Sequence, residues 1–221
     1  MGLIVTIDGP AASGKSSVSR ELARRLGWKW VSTGAFYRGL ALVALKMQID
    51  FDDVPSLVNL ATSEIWFVQM DPEVTRVIFR GEDVTEEVGH EDVGSFASRI
   101  SLHPEVRKAL LQAQRSCGAG SHGLVAEGRD CGTVVFPQAE AKVYLTAQSE
   151  LRAARRAAER GEDTQKIVEA QKIRDQQDLT RKAAPLAIPE NALIVDTSTL
   201  NLKQVVDKVE QYVRARIPGL Q

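Results

Sequence analysis

Five short apolar runs punctuate the chain: LIVTI (3–7), WKWVS (28–32), GLVAE (123–127), KVYL (142–145) and ALIV (192–195). Each reads as a buried strand. The longer segments between them carry helical spacing instead. Val18, Leu22 and Leu26 recur at i, i+4 and i+8, while Arg20, Glu21, Arg24 and Arg25 take other faces. That pattern predicts an amphipathic helix closed by Gly27. A second helix is predicted after Gly34, with Leu40, Ala41, Ala44 and Leu45 apolar. HPEVRKALLQAQR (103–115) has a proline near its start and an inner stripe of Val106, Leu110 and Leu111. A last helix runs from about Leu202 to Arg216, before Pro218. Strands alternating with helices predict an α/β fold whose parallel sheet is covered on both faces.

One region breaks the alternation. EIWFVQM and TRVIFRG, joined by DPEV and followed by EDV, read as two strands of a small antiparallel insert rather than another βα unit. No internal repeat or low-complexity linker is visible. A chain of 221 residues can bury one substantial core, and its 43% hydrophobic and 26% charged residues are ordinary for a soluble globular protein.

A formal net charge of −1 provides no whole-protein field to attract nucleic acid or an anionic membrane, so any anion site must be built locally. Cys117 and Cys131 lack CxxC spacing and are too few for a four-ligand zinc site. No signal-peptide pattern or apolar run approaching the ~20 residues of a membrane span is seen, so a soluble cytoplasmic protein is expected. With no coiled-coil stripe, a monomer is expected. His90, His103 and His122 are scattered in positions expected at the surface and receive no catalytic role; Trp28, Trp30 and Trp66 read as packing residues.

The candidate chemistry begins at VTIDGPAASGKSS (5–17). Gly9, Pro10, Ala11, Ala12, Ser13, Gly14, Lys15 and Ser16 fit GxxxxGK[ST], with a strand before and a helix after. Gly9 and Gly14 let the backbone approach phosphate oxygens without a Cβ in the way. The loop amides and the helix N-terminus form an anion cradle. Lys15 adds a mobile positive charge for the β- and γ-phosphates, and a hydroxyl can ligate Mg²⁺. Ser16 occupies the usual hydroxyl position and Ser17 offers a second; the pattern leaves both open. The loop implies nucleoside triphosphate binding without specifying the reaction.

Three further segments narrow that reaction. STGAFYR (32–38) supplies hydroxyls, a helix N-terminus and Arg38 at the carboxyl edge of the second strand, where ligands bind in open α/β sheets. LVAEGRDCGTVVFP ends another strand in Glu127, Gly128, Arg129 and Asp130. There Glu127 is placed to orient Mg²⁺ through water and Arg129 to pair with a phosphate, the structural alternative being an Arg129–Asp130 ion pair. In IRDQQDLTRKAAPL, Arg174, Asp178 and Arg181 fall at i, i+4 and i+7, which predicts one shared helix face. That face either reaches two phosphate groups or forms a solvent-facing ion-pair ladder. Upstream, LRAARRAAERGEDTQ is basic, with Arg152, Arg155, Arg156 and Arg160 before Gly161, and reads as a lid or as an exposed basic helix. A guanine-nucleotide switch would need NKxD and DxxG motifs, and neither is found; an ATPase or ATP-binding module stays as the rival from another class.

Taken together, TIDGPAASGKSS, STGAFYR, EGRDCGTVVFP and IRDQQDLTRKAAPL resemble bacterial cytidylate kinases, in the nucleoside monophosphate kinase group of P-loop kinases. The resemblance covers nearly the whole chain. It implies a three-layer P-loop core (1–63 and 99–221, with a helical lid at about 152–170) and a small insert beside the monophosphate (64–98). It implies phosphorylation of CMP and dCMP by ATP with Mg²⁺. By matching position, the loop from Gly9 to Ser17 would hold the ATP phosphates, and Arg38, Arg129 and Arg181 the acceptor phosphate. Ser98, Arg107 and Asp130 would read cytosine with Thr33 close by; Tyr37 and Asp178 would face the sugar. Arg174, with lid arginines, would neutralise charge on the transferring group. The chain departs from some relatives in GKSS after the loop glycine, in STG where DSG also occurs, and in EGRD where aspartate is frequent in place of glutamate.

Overall fold

The computed structural model describes residues 2–160 and 164–220; the side chains of residues 159, 160, 164–167, 170 and 174 lie outside that description. Its centre is a five-stranded sheet in which every pairing is parallel. The strands are β1 (Leu3–Asp8), β2 (Lys29–Ser32), β6 (Gly123–Gly128), β7 (Ala141–Thr146) and β8 (Leu193–Asp196), in the order β2-β6-β1-β7-β8. β3 (Trp66–Met70), β4 (Thr75–Phe79) and β5 (Glu82–Asp83) form a separate antiparallel sheet, so the insert gains a short third strand beyond the two expected.

The strand sequences explain their places. β6 is buried along its whole length and β1 from Ile4 onward, as central strands covered on both faces must be. Successive residues alternate between two hydrophobic layers. Val5, Ile7, Trp30 and Val125 face α1 (Lys15–Leu26) and α9 (Leu202–Arg216); Ile4, Val31, Leu124 and Ala126 face α2 (Gly34–Lys46) and α6 (Pro104–Ser116). α9 starts on a capping box in which Asn201 and Gln204 satisfy each other's backbone amides, and it packs through Val205, Val206, Val209 and Val213. The small sheet shares the second layer: Trp66, Val77 and Phe79 pack with Leu40, Val43 and Leu57. α2 is therefore apolar nearly all round, lying between the sheet and the insert.

Among the described residues, five further helices cover the insert side and the opposite end. α3 (Val54–Ala61) and α5 (Glu91–Ile100) are full helices with no counterpart in the periodicity reading, and α4 (Thr85–Val88) is a single turn. α7 (Ser149–Arg160) and α8 (Thr164–Thr180) pack against each other where the basic lid was expected; Gly161 lies outside the described residues. No helix among the described residues is long and apolar enough to cross a membrane.

The register brings the chemistry to one edge. Asp8 pairs with Gly128 and with Tyr144, and Ser32 pairs with Glu127, so the carboxyl ends of β1, β2, β6 and β7 meet in one place.

Candidate active site

The loop after β1 turns through left-handed backbone at Ala12 (φ 56°) and Gly14 (φ 91°). Gly9 (φ 150°) runs so close to the end of β7 that a Cβ there would stand 2.1 Å from the Leu145 carbonyl oxygen. A side chain at this position would force the loop off the sheet edge. Lys15 opens α1 with its side chain folded back over the loop, Nζ donating to the Pro10 carbonyl at 2.7 Å. Burial lowers the Lys15 ammonium from its ordinary 10.5 to about 7, and the Arg129 charge pushes the same way. An amine buried at the first turn of a helix offers an anion both a proton donor and the positive end of the helix.

The second helix-start segment and the β6 end face this loop across a cavity of about 240 Å³. On the loop side the cavity is lined by Ala11, Ala12, Lys15 and Ser16. On the far side stand Tyr37, Arg38, Ser98, Arg129, Asp130, Asp178 and Arg181, with Thr33 at its floor. One cleft therefore joins most of the residues singled out from separate segments. Gly9, Pro10, Ser13, Gly14, Ser17 and Arg107 do not line the cavity. The lining also includes Ser101 and Gly94, which sequence reasoning missed, and Arg156 of α7, foreseen only as part of a basic lid.

The charges inside are paired in a particular way. Asp130 is bonded to Arg107 and lies 3.6 Å from Arg181 through its other oxygen. Arg129 donates from Nε to Asp178 at 2.7 Å, and Asp178 also lies 3.7 Å from Arg181. The Arg129–Asp130 ion pair offered as an alternative is not formed; neighbours in sequence point to different partners. Nor do Asp178 and Arg181 face solvent. α8 ends at Thr180, so Arg181 is not on the helix face predicted for it but at the turn beyond. Its amide still bonds to the Gln177 carbonyl, and Nε donates to the Ala184 carbonyl. Four residues beyond the helix end, Ala184 adopts left-handed backbone (φ 50°) before Pro185. Arg174 belongs to α8, but its side chain is outside the described residues.

Arg107 sits behind Asp130, stacked 5.4 Å from the centre of the Tyr37 ring. Burial pushes the Tyr37 phenol up to about 12, so it remains a hydrogen-bond donor over the working range. The Thr33 hydroxyl donates to the Glu127 carbonyl at 2.9 Å, which ties the start of α2 to β6. Arg38 donates to the carbonyls of Val88 (2.8 Å) and His90 (3.2 Å), bridging α2 to the start of α5. Gly94 lets that guanidinium through, since a Cβ there would come 2.5 Å from it. From the lid side, Arg156 reaches across to Glu91 of α5 at 2.9 Å, while Arg152 donates to the Ala11 carbonyl at 3.1 Å and pairs with Asp175 at 2.8 Å.

The two candidate metal hydroxyls differ. Ser16 donates to Glu127 Oε1 at 2.9 Å and lines the cavity; Ser17 does neither. A hydroxyl beside a carboxylate is an all-oxygen donor set of the kind Mg²⁺ accepts. Among the described residues no cluster of three or more His, Cys, Asp or Glu side chains is arranged to hold a metal alone. Asp8, at the end of β1, was also missed. It is fully buried and accepts the amides of Cys131 and Gly132 at 2.8 and 2.7 Å. Burial raises its carboxyl to about 6 against the pull of those two amides.

Comparison with known proteins agrees with this geometry. Residues 5–215 match the family model described as Cytidylate kinase. A protein named cytidylate kinase from Bdellovibrio bacteriovorus is 69% identical over 98% of this chain and all of its own length. Another of that name from Shewanella loihica is 40% identical, covering 98% of this chain and 96% of the relative. Among solved structures, a gluconokinase from Sinorhizobium meliloti superposes with a TM-score of 0.53 at 15% identity, over 97% of this chain and 92% of that one. An uncharacterized protein from Eubacterium ventriosum superposes with a TM-score of 0.52 at 11% identity, over 97% and 99%. At such identities the structural likeness speaks to fold alone.

Proposed function

The chain belongs to the cytidylate kinase family, whose members phosphorylate CMP and dCMP with ATP, and from that premise we propose how its own residues divide the work. The observation that carries the assignment is the single cleft that places the phosphate loop, with Lys15 and Ser16, opposite Asp130, Arg129 and Arg181. A donor and an acceptor nucleotide bound in that cleft meet phosphate to phosphate.

The loop from Gly9 to Ser17 holds the donor phosphates through its amides, and Lys15 leaves the Pro10 carbonyl to meet the β- and γ-oxygens. Ser16, with Glu127 behind it, is the residue that would hold Mg²⁺. When bound there, the ion would supply positive charge to offset that of the phosphates. Arg38, Arg129 and Arg181 bind the acceptor phosphate by exchanging their carboxylate and carbonyl partners for phosphate oxygens. That oxygen is already anionic at neutral pH, so in-line transfer needs positioning and charge neutralisation rather than a strong general base. Arg156, and Arg174 by position, add positive charge from the lid helices.

The base is read at the Asp130 side. Asp130 lies between Arg107 and Arg181, and its carboxylate accepts from the exocyclic amine of cytosine. Ser98 and Ser101 offer hydroxyls beside it, and Arg107 acts chiefly by holding Asp130. Uracil presents a carbonyl where cytosine has its amine. Each mispaired buried group costs ~1 to 3 kcal/mol, or about ten- to a hundred-fold in discrimination. Tyr37 and Asp178 face the sugar. Residues 64–98 form the acceptor-side lobe that Arg38 fastens to the core. We place the enzyme in the cytoplasm as a monomer.

The test is ADP release from ATP and Mg²⁺ with CMP, dCMP, UMP, AMP and dTMP offered separately. Strong preference for CMP and dCMP is expected. ADP release independent of every acceptor would overturn the assignment in favour of an ATPase.

A further inference from the structure

Asp8 has no part in the division of work above, yet its setting is unusual. Its side chain is wholly enclosed, and both carboxylate oxygens are spent on two consecutive backbone amides, those of Cys131 and Gly132. These amides open the single π-type turn Cys131–Val135, whose far end closes on the Asp130 carbonyl through the amides of Val134 (2.9 Å) and Val135 (3.1 Å). One carboxylate thus fixes the turn that begins at the residue after Arg129 and Asp130. In sequence, Asp8 is the residue before Gly9, where the phosphate loop starts. The approach leaves no slack. A Cβ on Gly132 would stand 2.8 Å from Thr6 Oγ1 and 3.2 Å from Asp8 Oδ2. Thr6 Oγ1 itself is buried with no hydrogen-bond partner, so Asp8 carries β1's side-chain hydrogen bonds to the start of the turn, while Arg115 of α6 donates to its far end at the carbonyls of Val134 and Val135, both at 2.9 Å.

We propose that Asp8 is a positioning residue for phosphoryl transfer: it locks the acceptor-reading turn to the root of the phosphate loop and so sets the spacing between the two nucleotides. The proposal rests on the donor and acceptor assignment above. A charged carboxylate suits the task because it accepts two amides at once in a fixed fork, and charge-assisted bonds of this kind are about twice as strong as neutral ones. The carboxamide of asparagine, of nearly the same shape, offers one accepting oxygen and sets an NH₂ group against the second amide.

The experiment is Asp8→Asn with kinetics in both substrates and direct binding of each nucleotide. Wild-type acceptor preference is measured alongside, so that failure of the kinase assignment shows in the wild-type and failure of this inference only in the variant. The expected result is a split. KM for CMP rises about ten- to a hundred-fold and kcat falls, as loss of a bond to a charged group predicts. ATP affinity without acceptor stays within about twofold or improves, because a negative charge has left the neighbourhood of Lys15. Equal loss for both nucleotides would mean that Asp8 only holds the fold, and unchanged CMP kinetics would mean that the turn keeps its place without it; either overturns the proposal. Should Asp8→Asn not fold, the wild-type protein carries the test by NMR. Saturation with MgADP, without acceptor, is expected to shift the Cys131 and Gly132 amide resonances, and unmoved amides would overturn the coupling.

Discussion

Replacing Asp130 by alanine tests the cluster proposed to read cytosine, and the burial of its partners governs how the variant must be read. The Asp130, Arg107 and Arg181 side chains are only 7%, 8% and 4% exposed. Removing the carboxylate leaves two guanidiniums enclosed. Arg181 keeps Asp178 at 3.7 Å and the Ala184 carbonyl, but Arg107 is left with the Ser101 carbonyl at 3.4 Å and the Tyr37 ring face. Breaking a buried pair from one side costs about 3–5 kcal/mol, mostly through the abandoned charge. For a chain of this length each kcal/mol moves Tm by roughly 2–4 °C, so the loss is roughly 6–20 °C. Adding Arg107→Met should recover part of it, because the worst-placed charge goes with its partner. The assay is urea unfolding of the wild-type, both single variants and the double variant, without nucleotide. The coupling energy between the two sites is expected near the upper end of the ~0.5–3 kcal/mol range for residues in one network. Asp130→Ala within about 1 kcal/mol of wild-type, or strictly additive losses, would refute the reasoning, since neither is compatible with a desolvated charge left behind. CMP binding by Asp130→Ala is to be compared with ATP binding only at temperatures where the variant is folded; there CMP is expected to weaken more.

Two further outcomes are expected. At pH 8 a Lys15 ammonium lowered to about 7 is mostly neutral, and ATP phosphates brought against it restore the proton; binding should therefore take up roughly 0.9 proton. Calorimetry in buffers of different ionisation enthalpy measures this, with Lys15→Met as the variant that should abolish it; zero uptake by the wild-type would show that the amine keeps its proton despite burial. For the metal site, Ser16→Ala should raise the Mg²⁺ concentration needed for half-maximal rate about tenfold, the scale of one lost bond to a charged centre. Ser17→Ala should leave that concentration unchanged, and equal effects of the two would break the assignment through Glu127.

The sheet was legible in the sequence because its central strands are enclosed on both faces and so read as unbroken apolar runs; all five runs are strands of the parallel sheet. α3 was passed over although it carries its own signal. Asp53 caps it by accepting the Ser56 amide, and Pro55 sits in its first turn. α5 was concealed for a tertiary reason. Gly94, a poor helix former, is there so that Arg38 can lie against the helix. Arg181 shows how periodicity overruns. Its spacing from Arg174 and Asp178 continues a helix that in fact stops at Thr180, and the side chain reaches the site from the turn instead. Asp8 could not be found by local pattern at all, because its partners lie 123 and 124 positions along the chain. The motifs located the cleft; the pairings inside it depend on contacts that no window of sequence contains.

Those pairings explain how a chain with a net charge of −1 can be built to take up two polyanions. Among the described residues, each arginine lining the cleft is held by an internal acceptor: Arg129 by Asp178, Arg181 by Asp130 and Asp178, Arg156 by Glu91, and Arg38 by the carbonyls of Val88 and His90. An arginine free in solvent would have to surrender its rotamer entropy on binding. Here the guanidiniums are already ordered, so an arriving phosphate trades places with a carboxylate or carbonyl rather than organising the site itself. The exchange also has a direction. Glu91 and Val88 belong to the insert side, whereas Arg156 and Arg38 come from the lid and core. These two arginines of the cleft are thus the same ones that tie α7 and α2 to the start of α5, through Glu91 at 2.9 Å and the carbonyls of Val88 and His90, and an anion that took them over would take them from those partners.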